Sequence, residues 1–269
     1  MKMRNIALLT MVGMSALSLA VNLPYSTSFE TTEVPAWGSP NPATNSDWNG
    51  LNNWRVSTTQ KFSGSQALYA TTNGTTLLPS TTIQPTSFPS SQNQGQIRTN
   101  MKMFMESSAG SFGTTSTNNV HGFRSRMTWN NGISSRSIRT GIQNNGNVVM
   151  WNDSSFTYAT IGTISNFSTY RNQWLDLTLI LDTTNPSIGY NLTIKDSANS
   201  QIFAGTGNIL TTTVSGARID FTSVVAVANG TGGPMGAYYD NFNVEAVPEP
   251  ATLTVLGLGA ASLVRRRKK

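Results

Sequence analysis

The chain has no cysteine and a single histidine among its 269 residues, and only 11% of its residues are charged. The absence of cysteine excludes disulfides, thiol catalysis and cysteine-based metal sites. His121 alone cannot form a histidine cluster, and a Ser-His-Asp triad would have to use it although no G-x-S-x-G elbow is present. Because His121 opens a predicted strand, we expect it at a surface or edge position.

Paired carboxylates and regularly spaced threonines are also missing. Jelly-roll glycosidases carry their two carboxylates on one strand face as E-x-D-x-x-E, and no such run exists here; Glu106 and Asp153 are isolated. The threonine clusters at 31–32 and 211–213 have no period of the kind that a flat ice-binding face needs. We therefore predict a protein that is not an enzyme and not primarily an ice binder.

The net charge of +6 belongs to the two ends of the chain. Two basic residues lie before position 21, and five basic residues with one acidic residue lie after position 246. The segment 21–246 between them carries 11 basic and 11 acidic residues. A neutral middle segment argues against a nucleic-acid partner, since such binding depends on a basic surface.

The N-terminus has the three parts of a secretory leader. Lys2 and Arg4 precede an uncharged apolar run at 6–19, and Ser18 and Ala20 are small residues at the positions that signal peptidase reads. The pattern predicts a signal peptide at 1–20, with a helical apolar segment and cleavage after Ala20.

The C-terminal segment 247–269 also has three parts. A Pro-Glu-Pro motif is followed by fourteen mostly apolar residues at 251–264 and then by a basic end. As a helix, the apolar run would be about 21 Å long, shorter than a hydrocarbon core of about 30 Å. The basic end is expected on the cytoplasmic side of the membrane. The residues of the motif and the basic end are Pro248, Glu249, Pro250, Arg265, Arg266 and Arg267, followed by two lysines.

This tail resembles the PEP-CTERM sorting signal of Gram-negative bacteria that make extracellular polysaccharide; the same tail is also called an ice-binding-protein C-terminal domain. The resemblance rests on V-P-E-P at 247–250, the apolar run and the arginine-rich end. It implies transient residence in the inner membrane and processing by an exosortase-type membrane protease. It also implies a final location in the cell envelope, at the cell surface or in the extracellular matrix.

The middle segment 21–246 predicts one all-β domain of about ten to twelve strands. Apolar and polar residues alternate at 97–106, 123–129 and 174–181, which is the period of half-buried strands. Asn-Gly at 145–146 and the polar stretch 196–200 predict hairpins. Phe29 and Glu30 are expected in a short first strand, and three prolines predict a loop at 71–94.

The strand at 174–179 and the segment Tyr-Asp-Asn-Phe-Asn-Val at 239–244 resemble those of concanavalin A-like jelly rolls, including laminin G-type and carbohydrate-binding modules. The resemblance implies a jelly-roll β-sandwich of two antiparallel sheets. In such modules a carboxylate near the first strand and one on the last strand often share a structural calcium ion. Glu30 and Asp240 occupy comparable places, so the sequence predicts calcium there as the one cofactor.

Sugar binding would use exposed aromatic rings beside amides and carboxylates. Trp37, Trp48 and Trp151 lie in or beside predicted loops and are the candidate sugar-binding residues, whereas Trp54, Trp129 and Trp174 are predicted to lie in the core. The favoured function is a non-enzymatic, surface-sorted protein associated with extracellular polysaccharide. Two alternatives stay open: a glycan-active glycosidase or lyase, and a purely structural or ice-binding matrix protein.

Exosortase processing makes a direct prediction about the mature protein. Mass spectrometry of protein recovered from the cell surface should find no peptide that contains the basic end 265–269, because cleavage near Pro-Glu-Pro removes it. An intact basic end on surface protein would contradict processing. A variant that lacks residues 265–269 serves as the control for identifying the C-terminal peptides by mass.

Overall fold

The chain folds into a sandwich of two antiparallel β-sheets. The structure is a computed structural model, and it describes residues 23–33, 48–49, 54–71, 81–85, 88, 94–106, 120–152, 157–227 and 236–247. These residues contain fifteen strands and two short 3-10 turns, and no α-helix occurs among them. The predicted all-β sandwich is confirmed. Both predicted terminal helices lie outside the described residues.

The first sheet has eight strands in the order β13-β12-β11-β6-β15-β4-β3, and β1 pairs with the far half of β15. Its members are β1 (Tyr25–Thr27), β3 (Trp54–Ser57), β4 (Ala67–Thr71), β6 (Gln96–Met105), β11 (Trp174–Asp182), β12 (Gly189–Lys195), β13 (Gln201–Asn208) and β15 (Gly236–Val247). The predicted hairpin at 196–200 joins β12 to β13.

The second sheet has seven strands in the order β10-β9-β8-β7-β14-β5-β2. Its members are β2 (Trp48–Asn49), β5 (Thr81–Pro85), β7 (Val120–Trp129), β8 (Ser134–Gln143), β9 (Asn147–Asn152), β10 (Thr157–Thr163) and β14 (Arg218–Val227). The predicted Asn-Gly hairpin joins β8 to β9, with Gly146 at a positive φ of 87°.

The core lies between the two sheets and follows the alternation seen in the sequence. In β6 the methionines at 101, 103 and 105 face inward, and in β11 the four leucines at 175, 177, 179 and 181 do the same. Phe123, Met127 and Trp129 of β7 meet them from the other sheet. Flexible methionine side chains fill the space between two twisted sheets without strain, which explains their row in β6.

Three local predictions are wrong. The stretch 71–94 is not only loop, because β5 forms within it and pairs with β14; it ends at Pro85, whose missing N–H is tolerated close to the sheet edge. Phe29 and Glu30 are not in a strand: β1 ends at Thr27, and Phe29 has a positive φ of 61°. The strand count is fifteen rather than ten to twelve because several strands are only two to five residues long.

A β-bulge interrupts the long strand β15. Asp240 pairs with Lys102 and Asn243 with Asn100, so two residues of β15 lie opposite the single residue between them in β6. Asn241, in the bulge, has a positive φ of 50°. The extra residue reverses the phase of the alternation, so Tyr239 faces the core before the bulge and Phe242 faces it after the bulge.

His121 lies in the core, and the prediction of a surface or edge position is wrong. Its exposed fraction is 0%, and its Nδ1 lies 2.7 Å from the phenolic oxygen of Tyr239 on the opposite sheet. That hydroxyl also donates to the carbonyl oxygen of Val225 at 3.4 Å. The pair therefore forms a polar link across the sandwich, and the alternation of β7 that places Phe123 inside also places His121 inside.

No helix in the described ranges has the length and apolar character needed to cross a membrane. The apolar tail at 251–264, for which a short membrane-inserting helix is predicted, lies outside those ranges.

The buried imidazole makes stability depend on pH. Burial, reinforced by the positive charge of Arg171, lowers the pKa of His121 to about 3, so the folded protein keeps the ring neutral. The unfolded chain takes up a proton near its ordinary pKa of about 6.5. The stability that the neutral ring provides is therefore present above pH 6.5 and decreases as the pH falls toward 3.

We expect His121→Gln to have a lower free energy of unfolding than the wild type at pH 8. The difference between the two proteins, which we call the gap, should be smaller by about 2 kcal/mol at pH 5. Urea unfolding at both pH values measures the gap, and the titration of other groups cancels because both proteins share them. Leu179→Ala, a core substitution in β11, should lower the free energy of unfolding by the same amount at both pH values. A pH-independent gap for His121→Gln would show that the imidazole is not held neutral.

Candidate functional site

A row of aromatic side chains lies on the outer face of the eight-stranded sheet, where alternation normally places polar residues. Trp174 of β11, Phe104 of β6 and Tyr238 of β15 occupy neighbouring strands, with ring centroids 5.5 Å apart for the first pair and 6.0 Å for the second. Tyr69 of β4 continues the row, 4.4 Å from Tyr238. The row thus crosses four adjacent strands.

Phe62, in the loop between β3 and β4, extends this row above the sheet. Its ring packs edge-on against Trp174 with centroids 5.8 Å apart, and 45% of its surface is exposed. The ammonium group of Lys102 lies 4.7 Å from the centre of the Phe62 ring and 2.7 Å from a carboxylate oxygen of Asp176. The cation and the ion pair fix the position of the ring.

Phe62 and Trp174 form one wall of a cleft of about 390 Å³, which we call the aromatic cleft. Its other lining residues are Lys102, Asn172, Gln173, Asp176, Asp196, Ser197 and Asn199. The hairpin turn after β12 is held in shape because Asp196 accepts hydrogen bonds from the N–H groups of Ala198 and Ser200 at 2.9 and 2.8 Å. The cleft therefore combines aromatic faces with amide, hydroxyl, ammonium and carboxylate groups.

Tyr238 is fixed at the far end of the aromatic row. Its hydroxyl donates to Glu106 at 3.0 Å. Burial, with the nearby charge of Glu106, raises the pKa of Tyr238 well above its ordinary value, so the phenol stays protonated. The row is therefore a rigid, uncharged platform.

The loop that carries Phe62 is held by the two carboxylates for which calcium is predicted. Asp240 accepts hydrogen bonds from the N–H groups of Phe62 and Ser63 at 2.9 and 3.0 Å. Glu30 accepts them from the N–H groups of Ser65 and Gln66 at 2.8 and 3.1 Å, and from the Ser65 hydroxyl. We call this arrangement, in which Asp240 and Glu30 hold the loop 62–66 from its two ends, the loop clasp.

The two carboxylates of the clasp have opposite pKa shifts. Burial raises the pKa of Asp240 to about 6, in spite of the hydrogen bonds that it accepts. Burial acts in the same direction on Glu30, but the hydrogen bonds from Ser65 and Gln66 outweigh it and lower the pKa of Glu30 overall. At neutral pH both groups are ionised and act as acceptors.

The clasp does not fit a calcium ion shared by Glu30 and Asp240. Calcium needs six to eight oxygen ligands. The groups that face these carboxylates are N–H and O–H donors, whose positive ends occupy the oxygens that a cation would need. In the described part of the chain, no cluster of three or more His, Cys, Asp or Glu side chains could hold a metal. The structure gives these carboxylates a different role, which is to orient Phe62.

The tryptophans proposed from the sequence do not form this site. Trp37 lies outside the described residues, while Trp48 and Trp151 belong to β2 and β9 of the other sheet. Trp54 and Trp129 lie in the core as predicted. Trp174 is only half-buried and lines the cleft, so its predicted core position is wrong. The alternation of Trp174 with the four buried leucines of β11 was the signal that could have placed it outside.

The clasp can be tested at Gly64, which lies at its centre with a positive φ of 63°. A β-carbon at this position would lie 2.2 Å from a carboxylate oxygen of Glu30. Gly64→Ala should therefore strain the backbone, which has a left-handed conformation here, and also displace Glu30 from its hydrogen-bond partners. We expect a loss of at least about 2 kcal/mol in the free energy of unfolding.

Gly95→Ala is the matched control, because Gly95 has a positive φ of 84° and open space where a β-carbon would stand. Gly95→Ala should lower the free energy of unfolding by about 1 kcal/mol, from backbone strain alone. Thermal unfolding with calcium and with EDTA completes the test. Equal losses for both glycines, or a rise in Tm with calcium that Glu30→Gln abolishes, would contradict the clasp as described.

The comparison with known sequences identifies the tail. Residues 246–268 match the PEP-CTERM protein-sorting motif, which confirms the resemblance seen in the sequence. The motif indicates export and a location in the cell envelope or at the cell surface, with processing by an exosortase. No curated protein sequence is significantly similar to this chain.

Solved structures of other proteins are similar to the sandwich to different degrees. A PL-14 alginate lyase from Aplysia kurodai has a TM-score of 0.57 at 14% identity, covering 83% of this chain and 98% of its own. Peanut lectin has a TM-score of 0.46 at 9% identity, covering 84% and 99%. A carbohydrate esterase from the Shiga toxin-encoding bacteriophage phi24B has a TM-score of 0.46 at 12% identity, covering 83% and 100%. The chain is thus an exported, surface-sorted protein, and its sandwich has the fold of the alginate lyase.

Proposed function

We propose that this protein binds polysaccharide of the cell surface or extracellular matrix in the aromatic cleft and does not cleave it. The observation that carries the proposal is the pair Phe62 and Trp174, which presents aromatic surface beside amides and carboxylates in one open cleft. Sugar rings have apolar C–H faces and hydroxyl edges, and such a cleft offers a partner for each. Surface sorting puts the cleft where matrix polysaccharide is present.

The rigidity of the cleft also supports binding. Asp240 accepts hydrogen bonds from the backbone N–H groups of Phe62 and Ser63, and Phe104 packs beside Trp174 on the neighbouring strand. A site whose aromatic groups are fixed before binding loses little conformational entropy when the ligand arrives. Lys102 and Asp176 neutralise each other at its floor, which suits a ligand that is rich in hydroxyl groups.

Glycan cleavage is the second candidate, and one observation favours it. Asp176 and Asp196 line the same cleft, and glycosidases use two carboxylates. Against this, the carboxylate of Asp176 already forms an ion pair with the ammonium group of Lys102 at 2.7 Å, so it is not free to act on a ligand. The alginate lyase that shares the fold acts on a polysaccharide, which agrees with either candidate.

The binding proposal predicts that Trp174→Ala and Phe62→Ala each lower affinity for the polysaccharide of the producing cells at least about tenfold, since loss of 1.4 kcal/mol of contact is tenfold. Affinity electrophoresis of the purified protein in gels that contain the polysaccharide measures this. Phe62→Ala is the safer variant for folding because its ring is exposed. Ile133→Ala removes an exposed apolar group from the turn between β7 and β8 of the other sheet and should have no effect.

Two outcomes would overturn the proposal. One is that the wild type binds none of the matrix polysaccharides; the other is that both cleft variants bind as well as Ile133→Ala. New reducing ends or unsaturated products in the same samples, lost in Asp176→Asn, would establish cleavage instead.

A further inference from the structure

The charges of the sandwich are divided unequally between its two sheets, although the segment 21–246 is neutral. The strands of the eight-stranded sheet carry four basic and four acidic residues. The strands of the seven-stranded sheet carry five arginines and one aspartate: Arg124, Arg126, Arg136, Arg139, Arg218 and Asp220. Folding thus collects a net charge of +4 on one sheet of a neutral domain.

Four of these arginines share the outer face of that sheet, and we call them the arginine face: Arg124, Arg126, Arg139 and Arg218. The inward positions between them are taken by core residues such as Phe123, Met127 and Ile138, which fixes the arginines outward. Arg126 has 51% of its side chain exposed, and Arg218 has 37%. The face is therefore accessible at these positions.

The arrangement places like charges close together. Arg124 and Arg139 are direct register partners in β7 and β8, and Arg126 is two residues further along β7. Adjacent strands are about 4.8 Å apart and alternate residues about 7 Å apart, so three guanidinium groups start from neighbouring points. Like charges that lie opposite each other in a sheet destabilise it. A fold that keeps them gains a surface suited to several anionic groups in a row.

The neighbouring groups orient these guanidinium groups. Arg124 donates to the hydroxyl of Ser137 at 3.2 Å and lies 5.6 Å from the centre of the Phe221 ring. Asp220 contacts Arg126 at 3.6 Å and Arg218 at 3.2 Å. These contacts fix the orientation of the guanidinium planes of Arg124, Arg126 and Arg218.

A side-chain-free strip runs beside the arginines. Gly122 and Gly141 are register partners next to the pair Arg124 and Arg139. A β-carbon on either glycine would lie about 2 Å from the carbonyl oxygen of the opposite strand, at 2.1 Å for Gly122 and 2.0 Å for Gly141. Only glycine is accepted there, so the strands approach closely, and because both glycines are buried the accessible part of the face lies on the side of Arg126 and Arg218.

We propose that the arginine face binds an acidic polysaccharide, a polyuronate, through its carboxylates. A guanidinium group matches a carboxylate with two parallel hydrogen bonds, and all the basic residues of this sheet are arginines. A polyuronate carries one carboxylate on each ring, spread along a flexible chain. Double-stranded DNA carries its phosphates more densely and needs a more strongly basic surface than this one, in which Asp220 offsets part of the charge of Arg126 and Arg218. The inference rests on the proposed function only in taking polysaccharide as the partner.

The test compares two charge-matched double variants of the full chain. Arg126→Gln with Arg139→Gln removes two charges from the arginine face, and Arg55→Gln with Arg98→Gln removes two from the other sheet. Calorimetric titration with polygalacturonate should show salt-sensitive binding that falls at least about tenfold in the first variant and less than about twofold in the second. Thermal unfolding checks that each variant is folded. Arg139→Lys keeps the positive charge but lacks the paired donors of a guanidinium group, so its affinity for polygalacturonate should fall about threefold.

Dextran and double-stranded DNA are the comparison ligands, and Trp174→Ala separates this surface from the aromatic cleft. The double variant Arg126→Gln with Arg139→Gln should keep the wild-type affinity for neutral matrix polysaccharide, which the aromatic cleft is proposed to bind. If the cleft proposal fails, Trp174→Ala keeps full affinity for neutral matrix polysaccharide while the arginine variants still lose polygalacturonate. The arginine proposal is overturned if the wild type does not bind polygalacturonate, if both double variants lose affinity equally, if Arg139→Lys binds like the wild type, or if DNA of equal charge concentration binds more tightly.

Discussion

The bulge in β15 determines how the rest of the sandwich is arranged around it. One extra residue at Asn241 lets the strand present Tyr239 and then Phe242 to the core, with Asp240 directed at the loop between β3 and β4. Tyr239 reaches His121 across the core, and Asp240 holds the backbone of Phe62. The core link and the position of the cleft aromatic ring therefore depend on the same change of phase in one strand. The bulge also marks where the partner of β15 changes from β4 to β1.

Much of the fold could be predicted from the sequence because alternation is a local property. The leucines of β11 and the methionines of β6 show their period directly, and the hairpin after Gln143 follows from Asn-Gly. The short strand β5 could not be predicted, since its pairing with β14 depends on residues about 140 positions away. His121 was misplaced because a polar side chain counts against burial unless its partner is known, and Tyr239 is 118 residues distant.

The candidate site was harder to predict than the fold for the same reason. Tryptophans near predicted loops were the obvious sugar contacts, whereas the cleft combines a strand residue, Trp174, with a loop residue, Phe62. Glu30 and Asp240, predicted as a pair of calcium ligands, both accept hydrogen bonds from the loop 62–66. Their role was not predictable, since it depends on whether carbonyl oxygens or N–H groups of the loop 62–66 face them. Composition could not show the division of charge between the sheets, because it depends on strand order.

The outer faces of the two sheets depart from ordinary strand composition in different ways. Phe104 and Tyr238 are buried in a cluster of their own on the outer face, with Trp174 packed against it, and Phe62 adds an exposed ring. Arg124 and Arg139 face each other where opposite charges would favour pairing. The core is already complete between the sheets, with Leu177, Met103 and Phe123 fully buried. The core between the sheets needs neither surface, which agrees with the proposed contacts outside the domain: apolar sugar faces for Phe62 and Trp174, and anionic groups for the arginines.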